Sequence, residues 1–257
     1  MELVHLYFLC SILLLVLMTA LWLLSLVLKN SSIVDIFWGM GFVALNFVAY
    51  YFSQHTTLQT VLTLFVTLWG TRLSTHIFLR NKGKPEDFRY AQWREEHGKH
   101  WRWISFFKVF LLQGVLLFII ITPLLVFQGS LAQQFYPGLY FAGIAFWLIG
   151  FFFESVGDYQ LRKFKADLSN SGKVLTSGLW RYTRHPNYFG DSLQWWGFWC
   201  FALGSGAWWT IFSPLLMTVL LLRVSGVTLL EKSLKSRPGY EDYIRKTNTF
   251  FPWIPKT

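Results

Sequence analysis

The sequence predicts an all-α polytopic membrane protein, a bundle of seven transmembrane helices with the N-terminus outside and the C-terminus cytoplasmic. Composition is the first reason: of 257 residues 54% are hydrophobic, 20% aromatic and only 14% charged, outside the range of soluble domains. The second is the seven apolar runs, most near the roughly 20 residues that a spanning helix needs. They are apolar all round and lack the alternation of barrel strands, and only helices or closed barrels satisfy the backbone in lipid. The third is charge. With seven spans and an outer N-terminus, residues 1–2, 53–56, 129–138 and Gly204 face outward and hold no Lys or Arg. All 23 basic residues then lie at inner positions, the asymmetry that sets topology.

Taken in order, the run Leu3–Leu28 is a retained helix. It lacks a basic leader and exceeds the roughly 7–15 apolar residues of a secretory signal. Ile33–Phe52 follows. Thr57–Thr71 is short, so its helix continues through Arg72. Ile104–Gln128 and Leu139–Phe153 are the fourth and fifth runs. Tyr188–Leu203 is short as well and reaches back towards Pro186, a residue suited to a first helical turn. Ser205–Leu222 is the seventh. Cys10 and Cys200 fall inside apolar runs, where a thiol packs as a small hydrophobe, so neither a disulfide nor a cysteine metal site is expected. No fixed repeat or long linker divides the chain. The expectation is a single integral membrane domain, 1–257, with polar cytoplasmic segments 80–103, 158–187 and 231–257. Compact helices and the lack of a targeting tail point to a bacterial inner membrane.

Some functions are disfavoured. The net charge of +10 follows from topology, so nucleic acid is not expected as a partner. Histidines 5, 55, 76, 97, 100 and 185 are scattered, which gives metal catalysis no ligand set. No GxGxxG follows a strand, which excludes a soluble-type dinucleotide fold.

Polar residues at the inner lip carry the remaining signal. In "ESVGDYQLRKFK" (154–165), Glu154, Asp158, Arg162 and Lys165 fall on one stripe of a continuing helix. Either they are ion pairs on a solvated helix end or the acids face the bundle, where an intramembrane acid is functional by default. In "SGLWRYTRHPNYFGD" (177–191), Asn187, Asp191 and Gln194 form a ridge too costly to point at lipid. Arg181, Tyr182, Arg184 and His185 outside it are equipment for a phosphorylated ligand, although Arg side chains also snorkel to lipid phosphates. Asp35, Arg72 and Arg223 are further lip charges, and Asp35 with Arg72 is a candidate structural pair. The turn "NKGKP" (81–85) offers Asn81, Lys82 and Lys84 as a second anion clamp around a permissive Gly.

Four segments, "DIFWGMGF", "LRNKGKPEDFRY", "SGLWRYTRHPNYFGD" and "RPGYEDYIRKTNTFFPWIP", together resemble the DUF1295 membrane proteins, which belong with the steroid 5-alpha-reductase-like superfamily. The resemblance implies NADPH held near the cytoplasmic side and hydride delivered to the double bond of a lipophilic enone, steroid-like or another lipid. The reductases' Asp-Tyr pair and following basic residues resemble Asp158, Tyr159, Arg162 and Lys165. Their Asn-Phe-x-Gly-Glu resembles Asn187, Tyr188, Phe189, Gly190 and Asp191, with the acid one carbon shorter. Their Asn-Arg-Gly-Arg-Pro turn resembles Asn81–Pro85 with Lys82 and Lys84 for both Arg, and their late arginine resembles Arg223. With Tyr182, Arg184, His185 and Glu231 these complete the expected cofactor set, in which Asn81 and Lys84 speak for the turn. The superfamily's catalytic Glu falls nearest Asp35. Its catalytic Tyr on the third helix is missing, Trp69 or a neighbour standing there, so Asp35, Arg72 and His76 form the expected catalytic set.

The rival is a methyltransferase. "RHPNY" and the later "EKSLKSRPGYEDYIRK" are also similar to the isoprenylcysteine and phospholipid methyltransferases, which bind S-adenosylmethionine. A sulfonium is served by acidic and aromatic groups, whereas NADPH phosphates need several Lys or Arg. The basic lip therefore favours NADPH. A non-enzymatic role in binding membrane lipids or a partner is the third reading.

Overall fold

A computed structural model describes residues 2–130, 136–224 and 226–256. Every regular element among them is helical. The chain forms two compact units, Met1–Gln134 and Phe135–Thr257. In the first, α1 is Leu3–Leu28, α2 Ile33–Tyr51, α3 Thr57–Asn81, α4 Phe88–His97, α5 the continuous helical run 101–120 and α6 Thr122–Gly129. In the second, α7 is Pro137–Ala166, α8 Pro186–Gly204, α9 Trp208–Val224, α10 Val227–Leu234 and α11 Tyr240–Lys246.

Four stretches are long and apolar enough to cross a membrane: Leu3–Leu28, Ile33–Tyr51, Phe88–Ile120 and Pro137–Ala166. The chain therefore reads as an integral membrane protein. The third stretch is not one straight rod. Gly98 turns it with φ 49°, so α5 is its spanning arm, about 30 Å long at 1.5 Å per residue. The three other apolar runs are helical too. α3 continues through Arg72 to Asn81, and α8 begins at Pro186, as their short apolar counts require. Residues 131–135 of the expected outer segment lie outside the described residues.

Two boundaries differ from expectation. The basic segment 80–103 becomes helical at Phe88, because the Asp87 carboxylate accepts from the Arg89 backbone N–H at 3.0 Å, an N-cap in the usual manner. The run Ile104–Gln128 is divided at Ile121, with Pro123 in the first turn of α6. Proline has no N–H to return to the carbonyl four residues back, so one helix ends and another starts.

Within the first unit α2 and α3 cross at Gly39 and Gly70. A Cβ on Gly39 would stand 2.4 Å from the Gly70 carbonyl oxygen, and Ser74 Oγ accepts from the Met40 N–H at 3.1 Å beside it. Further along, a buried amide knot ties α2, α3 and α6. Gln128 Nε2 donates to Thr63 Oγ1 at 2.9 Å and Gln59 Nε2 to the Gln128 carbonyl at 3.0 Å. Such bonds hold apolar helices together where lipid supplies no hydrophobic drive.

Within the second unit α7 and α8 lie antiparallel on a glycine seam. Gly143 meets Gly197, Gly150 meets Gly190 and Gly157 meets Pro186, and a Cβ on Gly190 would stand 2.4 Å from the Gly150 carbonyl oxygen and from Glu154 N. Spacing by seven keeps a small residue on one face, since two helical turns take about 7.2 residues. Gly150→Val is expected to lower the melting temperature of detergent-purified protein, overpacking of this kind costing about 1–3 kcal/mol. Gly138→Ala, where a Cβ meets nothing within 4 Å, serves as the control. Equal melting of both variants would show that the seam tolerates a side chain.

Candidate functional site

The seam brings the polar ridges of α7 and α8 into contact. Gln194 Nε2 donates to Glu154 Oε2 at 2.7 Å, and Asn187 Nδ2 donates to Asp158 Oδ1 at 3.0 Å. Glu154, Asp158, Asp191 and Gln194 are all buried. The ridge thus faces the interior, and the solvated-helix-end reading fails for the two acids of α7. The stripe itself divides. Arg162 is eight residues beyond Glu154, about 80° round the helix at 100° per residue. It is exposed and lies over the Tyr159 ring, 6.0 Å from its centroid, and Tyr159 is itself largely exposed.

Lys165, one turn further, reaches a cavity of about 500 Å³. Its walls are mostly apolar and aromatic, among them Leu161, Phe164, Trp180, Leu234, Tyr240 and Tyr243. Lys165, Lys173, Arg184 and Arg237 supply cations, and Asp167 an anion. Local bonds fix this shape. Trp180 Nε1 donates to the Gly157 carbonyl at 3.1 Å, Gln160 Oε1 accepts from the Leu179 N–H at 3.0 Å, and Tyr243 donates to the Trp180 carbonyl. Burial pushes the Tyr240 phenol up to about 12 and raises Tyr243 as well. Both walls are therefore uncharged at neutral pH.

Arg184 is not the outward-reaching phosphate ligand that the sequence predicts. Its Nε and Nη2 lie 2.9 and 2.7 Å from Glu231 Oε1, its Nη1 donates to the Thr247 and Ile244 carbonyls at 2.6 and 3.3 Å, and its Nη2 donates to Thr249 Oγ1 at 2.7 Å. Nε, Nη1 and Nη2 are all engaged within the unit, which fits a positioning role for Arg184. Glu231 is likewise a positioning group. His185 Nε2 sits 3.2 Å from Glu231 Oε1 and its ring stacks on Tyr188 at 5.6 Å. His185 Nδ1 is buried and has no hydrogen-bond partner. Tyr182 is exposed and contributes its carbonyl to Trp253 N–H. Tyr159, Arg162, Tyr182 and Arg223 are not among the residues that wall the cavity. Sequence reasoning missed Lys173 and Arg237, whose only signal was charge in two segments far apart in the chain.

The first unit holds a second constellation. Glu86 binds Arg94 in a two-pronged pair, at 2.8 and 2.9 Å, and accepts from Ser31 N–H, while Asp87 N–H donates to Ser32 Oγ at 2.7 Å. Burial pushes Glu86 upward, but Arg94 and Ser31 together outweigh it and hold the carboxyl below its ordinary value. This clamp fixes α4 against the start of α2. Tyr90 Oη then donates to Asp35 Oδ1 at 2.8 Å, and Gln113 Nε2 on α5 donates to both Asp35 Oδ1 and Tyr90 Oη at 3.1 Å. Tyr90 and Gln113 meet although 23 residues separate them, because the chain reverses at Gly98. The cation beside Asp35 is Arg89, at 3.6 Å, where the sequence offered Arg72. Arg72 and His76 stand half-buried one turn apart on α3. The turn after α3 has its expected form, with Gly83 at φ 74° and Lys84 N–H on the Asn81 carbonyl at 3.0 Å.

The His185 hydrogen bond, aided by Arg184 and opposed by burial, holds the Glu231 carboxyl below its ordinary 4.5. Folding therefore gains from Glu231 above that value and loses the gain as pH falls through the lower folded one. Melting followed from pH 7 downward is expected to weaken below about 4.5. Glu231→Ala at pH 7, which strands the Arg184 charge, is expected to cost about 3 kcal/mol. A variant that melts with the parent would remove Glu231 from this role.

The model of the DUF1295 family, described as proteins of unknown function, matches residues 21–247. A protein of Schizosaccharomyces pombe (strain 972) described as uncharacterized is 26% identical over 265 positions, covering 90% of this chain and 75% of that one. No solved structure matches the chain. The matched residues run from α1 to just past α11 and take in the Asp35 constellation, the glycine seam and the cavity, so the chain belongs to the DUF1295 family.

Proposed function

We propose that the protein is an NADPH-dependent membrane reductase that saturates a carbon-carbon double bond in a lipophilic enone, steroid-like or another lipid. The observation that carries this reading is the cavity of the second unit, about 500 Å³ with Lys165, Lys173 and Arg237 on its wall. That size lies within the range of about 300–1,000 Å³ usual for cofactor pockets. Phosphates are served by such cations, and the aromatic walls suit an adenine or nicotinamide face. A sulfonium cofactor is less well served, since Asp167 is the one acid among the described residues on that wall, against Lys165, Lys173 and Arg237.

NADPH, when bound, supplies hydride. In the first unit Tyr90 takes the part that the resemblance assigns to a tyrosine and that the third helix lacks. Its hydroxyl would turn its one proton from Asp35 Oδ1 to the substrate carbonyl, while Gln113 Nε2 still donates to the phenol oxygen. Polarisation of this kind contributes about 10²–10⁴ in rate. In this reading the chain crosses the membrane seven times with its N-terminus outside, and the basic segments face the cytoplasm of a bacterial cell.

Titration of detergent-purified protein with NADPH and with S-adenosylmethionine, followed by thermal shift, separates the two cofactors, because stabilisation follows the ligand that binds. NADPH is expected to stabilise. Lys173→Glu with Arg237→Glu is expected to weaken it about tenfold or more, the effect of losing charged hydrogen bonds. Tyr90→Phe is expected to leave NADPH affinity intact and to slow NADPH oxidation with a steroid enone by about 10² or more. Stabilisation by S-adenosylmethionine alone would replace the reductase by a methyltransferase.

A further inference from the structure

The segment after α11 carries a feature that no cofactor reading uses. Residues 247–256 are a strap without regular structure, pinned along their length. Arg184 N–H donates to the Asn248 carbonyl at 2.9 Å, Thr183 Oγ1 to the Phe250 carbonyl at 2.8 Å, Trp253 N–H to the Tyr182 carbonyl at 2.9 Å, and Lys256 N–H to the Lys246 carbonyl at 2.8 Å. Phe250 is buried beneath it. Phe251, Trp253 and Ile254 nevertheless stand 70%, 69% and 76% exposed. Three large apolar side chains held in the open by a fixed backbone are costly in water, at about 25 cal/mol per Å².

Their surroundings identify what covers them. Rings run without a break from the exposed face of α7 to the strap: Phe152 to Phe153 at 5.8 Å, Phe153 to Phe189 at 5.2 Å, and Phe189 to Phe251 at 6.1 Å. α7 is one of the stretches able to cross a membrane. Phe153 is sixteen residues from its start at Pro137, about 24 Å along the axis at 1.5 Å per residue. That is close to the far edge of a hydrocarbon core roughly 30 Å thick. The strap therefore sits at the level of the headgroups, where Trp is enriched. Lys246 and Lys256, both exposed and joined by the backbone bond above, supply cations for lipid phosphates.

We propose that the strap is a membrane-interface anchor: Phe251, Trp253 and Ile254 lie among the phospholipid headgroups and upper acyl chains, with Lys246 and Lys256 towards the phosphates. The proposal is independent of the reaction. It is tested on full-length protein in phosphatidylcholine vesicles, in a background of Cys10→Ala and Cys200→Ala. An environment-sensitive thiol dye is placed by Ile254→Cys and, as control, by Glu241→Cys on the exposed face of α11. The dye at 254 is expected to emit to the blue of the control. Lipids brominated high on the acyl chain should quench it about twofold more than the control, as for an interfacial side chain, and aqueous iodide should quench it less. Trp253→Ser with Phe251→Ser should move the dye at 254 towards the control. Emission and iodide quenching at 254 equal to those at 241 would overturn the proposal and leave the strap to water or to a protein partner.

Discussion

Close backbone approach between α7 and α8 is the constraint on which the second unit depends. Helices with side chains at every position pack 8–10 Å apart. Removing Cβ at Gly143, Gly150 and Gly157 on one helix, and at Gly190 and Gly197 on the other, leaves backbone facing backbone. Only then do Asn and Gln amides on α8 reach the carboxylates of α7. In lipid, where neighbouring helices gain little from burying apolar surface against each other, dispersion across this seam and the two amide-carboxylate bonds do the work of association. The placement of Lys165 and Trp180 at the cavity follows, since α7 carries the one and anchors the other through Gly157.

Much of this was legible in the sequence. Helical character followed from the apolar runs, and the inward set of Asn187, Asp191 and Gln194 from the cost of pointing them at lipid. The start of α8 at Pro186 followed from the missing N–H of proline. The seam was not read from the sequence: its glycines recur every seven residues, a period too short to register as a repeat of folding units.

Other parts were not legible, for physical reasons. Whether an arginine reaches for a ligand or for its own chain is decided by long-range partners. The carbonyls of Ile244 and Thr247 that engage Arg184 leave no mark in composition or spacing. Tyr90 looked like one residue of a basic, exposed loop, and nothing near it in the chain marked it as a partner for Asp35. What delivers it is a cap at Asp87, a clamp from Glu86 to Arg94 and to Ser31 far back in the chain, and a reversal at Gly98, none of them apolar. Four of the seven runs are long and apolar enough to span on their own; α3 has the length but carries too many polar residues, and α9 is apolar but short.

The engagement of Arg184 reaches beyond its own side chain. Its bonds run to α10 through Glu231, to the end of α11 through Ile244 and Thr247, and to the strap through Thr249. To lift any one of these pieces away is to strand a buried cation, so none has a cheap opening of its own. Slow amide exchange in these elements should then share one rate, that of a single cooperative foldon whose release dismantles the cavity wall along with the strap.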